Sequence, residues 1–186
     1  KWKLLIPFLF FAFTGTSTLT VIGLTSQQNL IKQEERKILL LHYRIFQNEL
    51  ERKGEQAIAL ASVVAEDKDV QRLLAERDRR ALNRHLVHTY VRLKIDYDIS
   101  QFHFHVPPGI SFLRLHAPSQ SGDALHPQRG TIRKALEERS AVWGLERGET
   151  GLGIRGVVPV LLGPDVVGTV EVGHSFGRTF LKALSE

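Results

Sequence analysis

Two histidines in a short alternating segment have the chemistry of a binding surface. Polar and aromatic residues alternate in residues 102–106, which predicts a β-strand with His103 and His105 on one face. An imidazole can donate to an anion, hold a metal ion or take up a proton near neutral pH. The pair therefore predicts a polar sheet face whose chemistry depends on the neighbouring strand.

The neighbouring strand is predicted to add a guanidinium group to this face. In residues 112–116 the alternation places Phe112, Arg114 and His116 on one face, and the Pro-Pro-Gly sequence before them is typical of a hairpin turn. A guanidinium group can bind a carboxylate through two parallel hydrogen bonds. If the hairpin register aligns the two polar faces, they form a cationic wall suited to a small carboxylate.

Arginines further along the chain could complete this wall. Arg129 and Arg133 lie at the start of a predicted helix and could close the wall from above. Arg155 lies within an otherwise apolar strand, where it either binds the ligand or pairs with Glu171 across the sheet. The predicted ligand-binding residues are His103, His105, Arg114, His116, Arg129 and Arg155.

A metal ion or a proton is the alternative ligand of the same region. His103 and His105 on one strand face, completed by His116, His126 or Asp123, would supply three or four zinc or nickel ligands. The eight histidines of the chain also allow a pH-responsive domain, because imidazole changes charge near pH 6.5. The spacing alone does not separate these possibilities from carboxylate binding.

The composition argues against several other functions. The 186 residues contain no cysteine, which rules out disulfides, thiolate zinc sites and covalent haem attachment. No motif of a serine hydrolase, a metalloprotease or a phosphate-binding loop is present, so neither an enzyme nor a cofactor is expected. The net charge of +5 comes from charges interspersed along the chain, without the basic stripe that binds nucleic acid.

The N-terminal segment is predicted to cross a membrane. Residues 4–24 carry no charge and match the roughly 20 residues that span about 30 Å of hydrocarbon. Lys1 and Lys3 before them favour a cytoplasmic start, so that the rest of the chain is exported. A cleaved signal peptide is the alternative, because the most apolar part is short. Residues 1–25 are therefore assigned to an anchor in the inner membrane, with the following domain in the periplasm.

The segment after the anchor is predicted to be one long helix that forms a dimer. Ile31, Ile38 and Ile45 recur every seven residues within residues 26–65, which is the spacing of a coiled-coil seam. A helix of about 40 residues is some 60 Å long, more than one small domain covers. We expect part of it to pack against a second copy; the alternative is a helix that lies wholly on its own domain.

The remaining sequence predicts an α+β domain. Short helices begin near Asp67 and Asp78 within residues 66–100, and an antiparallel sheet of about five strands with its pocket occupies residues 101–174. The predicted strands are residues 101–106, 111–116, 141–146, 153–160 and 166–172, with a helix at 128–139 after the second strand. Residues 175–186 are predicted to start a helix that leads to a second membrane crossing.

Several blocks of this region resemble a known family. They are FHFHVPPGISFLRLH at 102–116, Gly122-Asp123, Arg129 with Thr131-Ile132, and GLGIRGVVPV at 151–160 followed by VGTVEVGHSFG. Together they resemble the periplasmic Cache (PAS-like) sensor domains of bacterial chemoreceptors and sensor histidine kinases, over residues 26–182. The resemblance implies a single domain with a long N-terminal helix, a central antiparallel sheet, and a small-molecule pocket between the sheet and its covering loops.

The resemblance also implies a function. Members of the family commonly bind small carboxylates, amino acids or related metabolites and pass the signal through flanking membrane helices to a cytoplasmic output. The chain is therefore expected to be the ligand-sensing domain of a chemoreceptor or sensor kinase, acting as a homodimer on a small carboxylate or an amino-acid-like ligand. A metal- or pH-responsive sensor and a protein-docking module without a small ligand are the alternatives.

Overall fold

The chain begins with one long helix. The computed structural model describes residues 2–125, 127–148 and 151–183, and the chain divides into two compact units at Gln47. Helix α1, Trp2–Ala65, supplies the first unit and continues into the second. Among the described residues it is the one helix that is long and apolar enough to cross a membrane. The predicted long N-terminal helix is confirmed, and it is continuous with the predicted membrane segment.

The second unit contains the other helices and all the described strands. They are α2 (Lys68–Ala75), α3 (Arg79–Tyr97), β1 (Gln101–Val106), β2 (Ile110–Arg114), α4 (Gly130–Glu138), β3 (Val142–Gly148), β4 (Gly151–Leu162), β5 (Asp165–Ser175) and α5 (Arg178–Ala183). Helices α2 and α3 begin after Asp67 and Asp78, whose carboxylates accept hydrogen bonds from the first free N–H groups of each helix. Both predicted helix starts are therefore found.

The strands form one antiparallel sheet in the order β2-β1-β5-β4-β3. The predicted α+β fold with a five-stranded antiparallel sheet is confirmed. Strand β1 coincides with its prediction, whereas β4 and β5 extend beyond their predicted bounds. The tight turn between β4 and β5 includes Gly163 at φ +61°, a conformation that glycine adopts without steric cost.

One face of the sheet packs against the end of α1 and against α2 and α3. Phe102 and Phe104 of β1 and Tyr90 of α3 belong to this apolar core. Helix α1 lies close to β4 at Gly156, where an added Cβ would lie 2.5 Å from the amide nitrogen of Ile58. The helix backbone therefore rests directly on the strand.

The opposite face carries the polar side chains and is partly covered by α4. Ile132 and Ala135 of α4 pack on Val157 of β4 in a small second core. On the same side, His103 of β1 lies opposite Arg114 of β2 in the sheet register. The predicted alignment of the two polar faces of the hairpin is therefore found at this pair.

A β-bulge changes the register beyond this pair and corrects one prediction. The register of β1 with β2 shifts between Phe104 and His105, so that His105 pairs with Ser111. Phe112 consequently packs against the apolar core rather than beside Arg114. The prediction that Phe112 shares the polar face is wrong, because the bulge moves it to the other face.

Candidate functional site

A cavity of about 840 Å³ opens on the polar face of the sheet. The cavity walls come from β1, β2 and the segment between β2 and α4, which ends at the N-cap residue Arg129. The end of β3 and the first part of β4 complete them. The lining residues are Gln101, His103, Arg114, His116, Ala117, Gln120, Asp123, Ala124, Leu125, Gln128, Arg129, Arg147, Gly148 and Arg155. Their chemistry is that of a polar, cationic cavity.

Five of the six predicted ligand-binding residues line the cavity: His103, Arg114, His116, Arg129 and Arg155. The sixth, His105, has no exposed surface and lies behind the wall. Arg133 is exposed on α4 and does not line the cavity, and His126 lies outside the described residues. Strand alternation thus predicted the correct face, but not the depth of His105.

The inner end of the cavity is built around the carboxylate of Glu171. Arg129 donates from Nη2 to one carboxylate oxygen at 2.6 Å, and Arg155 donates from Nη1 to the other at 2.5 Å. Burial alone would raise the pKa of Glu171, but the two guanidinium groups outweigh it and lower that pKa to about 2. The predicted alternative for Arg155, a pair with Glu171, is therefore present, while Arg155 also faces the cavity.

Glu146 of β3 is a structural residue that the sequence analysis did not identify. Its carboxylate accepts from Nε of Arg129 at 2.6 Å, and from the backbone N–H and the hydroxyl of Thr131, each at 2.8 Å. It thereby holds the first turn of α4 to the sheet and fixes Arg129 from a second side. The sequence signal was weak, because Glu146 and Arg129 are 17 residues apart and meet only through the sheet.

The outer wall contains a second ion pair, between Arg114 and Asp123. Arg114 donates from Nη1 and Nη2 to the two carboxylate oxygens at 2.8 and 2.7 Å. Hydrogen bonding by Arg114 lowers the pKa of Asp123. The arginine is 5% exposed, whereas the side chain of Asp123 is 41% exposed. A buried guanidinium group is therefore held by a carboxylate that remains in contact with solvent.

The histidines of β1 are buried and neutral. His103 shares a hydrogen bond of 2.8 Å between Nε2 and the Ser111 hydroxyl, and His105 shares one of 2.9 Å between Nδ1 and the Thr169 hydroxyl. Burial lowers the pKa of His103 well below its ordinary value and that of His105 to about 4, although Glu171 acts in the opposite direction on His105. At neutral pH these rings contribute hydrogen bonds to the site, not charge.

The geometry disfavours a metal ion at these histidines. His103, His105 and Glu171 each present one potential ligand atom, and these atoms lie within 4.8 Å of one another. However, both oxygens of Glu171 already accept from guanidinium groups, and a dication would be repelled by those cations. Asp123, a predicted metal ligand, is occupied by Arg114. The described residues therefore bring His103 and His105 together with Glu171 rather than with Asp123.

The balance of charge at the cavity favours an anion. Among the described residues, four arginines line it, namely Arg114, Arg129, Arg147 and Arg155. Three carboxylates oppose them: Asp123 in the wall, and Glu146 and Glu171 behind it. The buried His103 and His105 are neutral at neutral pH and add no charge. Guanidinium groups that line a cavity are suited to a carboxylate or a similar anion.

Comparisons with known proteins agree with a sensory domain. The domain of a protein assigned to the sensory box/GGDEF family from Vibrio parahaemolyticus has a TM-score of 0.54 at 17% identity over 80% of this chain. The extracellular domain of a protein assigned as histidine kinase vpHK1S-Z8 has a TM-score of 0.53 at 18% identity over 80% of this chain. At these identities the two structures show a shared fold.

The chain spans about three-fifths of the length of these two structures, 62% and 60%. Among curated proteins, no relative matches the chain. Residues 24–186 match a family described as the double sensory domain of two-component sensor kinases. This match covers most of the chain, including the whole sheet and the cavity. The chain therefore belongs to the dCache_3 family of sensory domains.

Proposed function

We propose that this chain is the extracytoplasmic ligand-sensing part of a membrane-anchored receptor, of the sensor-kinase or chemoreceptor type, and that its cavity binds a small carboxylate. The observation that carries the proposal is the set of buried arginines around the cavity, with Arg114 and Arg155 only 5% and 2% exposed. A guanidinium group can bind a planar anion such as a carboxylate through two parallel hydrogen bonds. The sensory family of the chain supports the same function.

Anchoring in the inner membrane, with the sensor domain in the periplasm, is part of the proposal. Residues 1–25 would form the membrane segment and residues 26–182 the sensor domain. The support is the length and apolar composition of the first part of α1, and the extracellular domain among the structural neighbours. A signal peptide passes the same test of length and composition, so retention of this segment in purified membranes is the measurement that decides.

Dimerisation through α1 is also part of the proposal. The heptad positions Ile31, Ile38 and Ile45 are all exposed in the single chain, which leaves an apolar seam for a second copy. Ile58, further along α1, packs instead on the apolar core of its own domain. The predicted dimer seam would therefore end before the part of α1 that lies on the sheet.

A thermal-shift screen of the full chain in detergent tests the function. Small carboxylates, amino acids and divalent cations would be compared at pH 6 and pH 8. A ligand at 100 times its dissociation constant stabilises the fold by about 2.7 kcal/mol, which raises the midpoint by several degrees. We expect carboxylates to shift the midpoint, and Arg114→Ala to abolish the shift.

Arg133→Ala is the matched control for this variant. Arg133 lies on α4 near the cavity but is exposed and does not line it. It should therefore keep the ligand response of the wild type. A shift by divalent cations alone would favour the metal-responsive alternative, and the absence of any shift would favour a protein-docking module.

A further inference from the structure

We propose that the ligand carboxylate binds to the edge of the Arg155 guanidinium group formed by Nε and Nη2, at a notch in the sheet that Gly148 and Gly153 keep open. This inference rests on the proposed function, because it concerns the same cavity. It names the contact at the inner end of that cavity and gives two glycines a role in ligand binding.

The guanidinium group of Arg155 is only partly engaged by the described residues. Its Nη1 donates to Glu171 at 2.5 Å. Neither Nε nor Nη2 has a hydrogen-bond partner within the described part of the chain. Arg129, which shares the same carboxylate, differs because its Nε donates to Glu146 and its Nη2 to Glu171. Arg155 therefore keeps both nitrogens of one edge as spare donors.

These spare donors belong to a side chain that is almost wholly buried. Arg155 is 2% exposed and lines the cavity. Buried donors in folded proteins are nearly always bonded, because an unbonded donor has lost its water without gaining another partner. A pair of open donors at a cavity wall therefore points to an acceptor from outside the chain. The N–H groups of this planar edge match the two oxygens of a carboxylate.

Two residues beside this edge have no side chain. An added Cβ at Gly148 would overlap Nη2 of Arg155, and one at Gly153 would lie 3.4 Å from both Nε and Nη2. Neither glycine is among those with a positive φ, so the backbone conformation does not require glycine at these positions. What glycine provides there is space beside the guanidinium group.

Gly148 marks the side from which a ligand reaches Arg155. It lines the same cavity, and Nη2 lies against the position that a side chain at residue 148 would take. A carboxylate that enters along the cavity therefore meets Nη2 first. Nε is buried, and it becomes the second donor when the guanidinium group tilts toward the cavity while Nη1 keeps its bond to Glu171. The space at the two glycines leaves room for this tilt.

Isothermal titration calorimetry of the full chain in detergent, at constant ionic strength, tests the inference. The probes are acetate, pyruvate and succinate, together with any carboxylate that the thermal-shift screen identifies. Gly148→Ala places a methyl group at Nη2 without a change of charge, and Arg155→Lys keeps the charge but removes the planar edge. The matched control is Gly177→Ala, the same substitution at a position with nothing within 4 Å.

We expect at least one of these carboxylates to bind the wild type. Gly148→Ala and Arg155→Lys should each weaken its binding about tenfold to a hundredfold, the range that corresponds to a hydrogen bond with a charged group. Gly177→Ala should stay within about twofold of the wild type. Circular dichroism shows whether each variant keeps the native fold.

A second measurement uses the unmutated protein and does not depend on the folding of Gly148→Ala. NMR spectra of the chain labelled with ¹⁵N-arginine follow the Nε–H signal of Arg155, which is assigned by its loss in Arg155→Lys. The bound probe should shift this signal. Glu149 follows Gly148 in the sequence and lies outside the described residues. We expect Glu149→Gln to leave the signal in place before any probe is added.

Three results would overturn the inference while the proposed function stands, in a protein whose wild type binds a carboxylate. They are binding by folded Gly148→Ala within about twofold of the wild type, an Nε–H signal of Arg155 that a saturating probe does not move, and a shift of that signal by Glu149→Gln alone. The last result would show that a carboxylate of the chain itself holds the edge. If no carboxylate binds the wild type and the thermal-shift screen is also negative, the proposed function itself fails.

Discussion

Replacing His105 by asparagine should remove a large part of the acid sensitivity of the fold. His105 is fully buried, and burial lowers its pKa from 6.5 to about 4, so the folded protein holds the neutral ring. The unfolded chain takes up a proton at this residue once the pH falls below about 6.5. The stability that the neutral ring contributes is therefore present above pH 6.5 and is lost progressively as the pH falls from 6.5 to about 4.

The size of this effect follows from the difference between the two pKa values. Each tenfold difference in proton affinity between the folded and unfolded states corresponds to about 1.4 kcal/mol. For His105 the total is roughly 3 kcal/mol by pH 4. A domain of this size has a free energy of unfolding of about 5–15 kcal/mol, so the loss should be easy to measure.

Urea unfolding of the full chain in detergent at pH 7, 6, 5 and 4 provides the assay. The chain has two tryptophans, and a Trp2→Phe background leaves Trp143 as the fluorophore of the sheet domain. The wild type should also lose stability through His103 and His174, whose pKa values burial lowers in the same direction. In His105→Asn the loss between pH 7 and pH 4 should be about 3 kcal/mol smaller than in the wild type.

Asparagine is chosen because its amide can still bond to the Thr169 hydroxyl, which now meets Nδ1 of His105. The variant will be less stable at pH 7, since a smaller side chain fills the site, but its pH dependence is the quantity that matters. His88→Asn, at an exposed position on α3, is the matched control and should leave the pH dependence unchanged. An equal pH dependence in His105→Asn and the wild type would refute the reasoning.

Three further substitutions test the packing and the ion pairs. Glu171→Gln leaves two buried guanidinium groups without their shared anion and should cost about 3–5 kcal/mol in urea unfolding at pH 7; a loss below about 1 kcal/mol would contradict the central role of this carboxylate. Gly156→Ala places a Cβ 2.5 Å from the amide nitrogen of Ile58 and should cost about 1–3 kcal/mol, whereas Gly177→Ala, with open space around it, should cost much less. Asp78→Ala removes the cap of α3 and should lower the free energy of unfolding by about 1 kcal/mol, measured by the same assay; no change would mean that the cap bond at 2.9 Å does not form in solution.

Strand alternation explains how much of the site could be predicted from the sequence. The two-residue period of β1 separates His103 from Phe102 and Phe104, and the structure places them on opposite faces as that period requires. The same rule failed at Phe112, because a β-bulge inserts a residue between two regular stretches. No periodic pattern in the sequence marks such an insertion. The alternation rule therefore assigns the wrong face of the sheet to one part of the strand only.

Strand alternation does not predict how deeply a side chain is buried or which side chain it pairs with. His105 shares a face with His103, yet it has no exposed surface and does not line the cavity. Glu146 and Arg129 meet because β3 is an edge strand and α4 crosses beside it, a relation that depends on the order of strands in the sheet. The ion pair of Arg155 with Glu171 could be predicted from the sequence, because β4 and β5 are joined by a short turn and must be neighbours.

The arrangement of β4 restricts how a ligand can act on α1. Consecutive residues of this strand face opposite sides, with Arg155 in the cavity wall and Gly156 against the backbone of Ala57 in α1. The bonds of Arg129 and Arg155 to Glu171 tie β4, β5 and the cap of α4 together. A ligand shifts an equilibrium only through contacts that differ between two states. Any movement of β4 that such contacts favour would reach α1 directly, because no side chain separates Gly156 from the helix backbone.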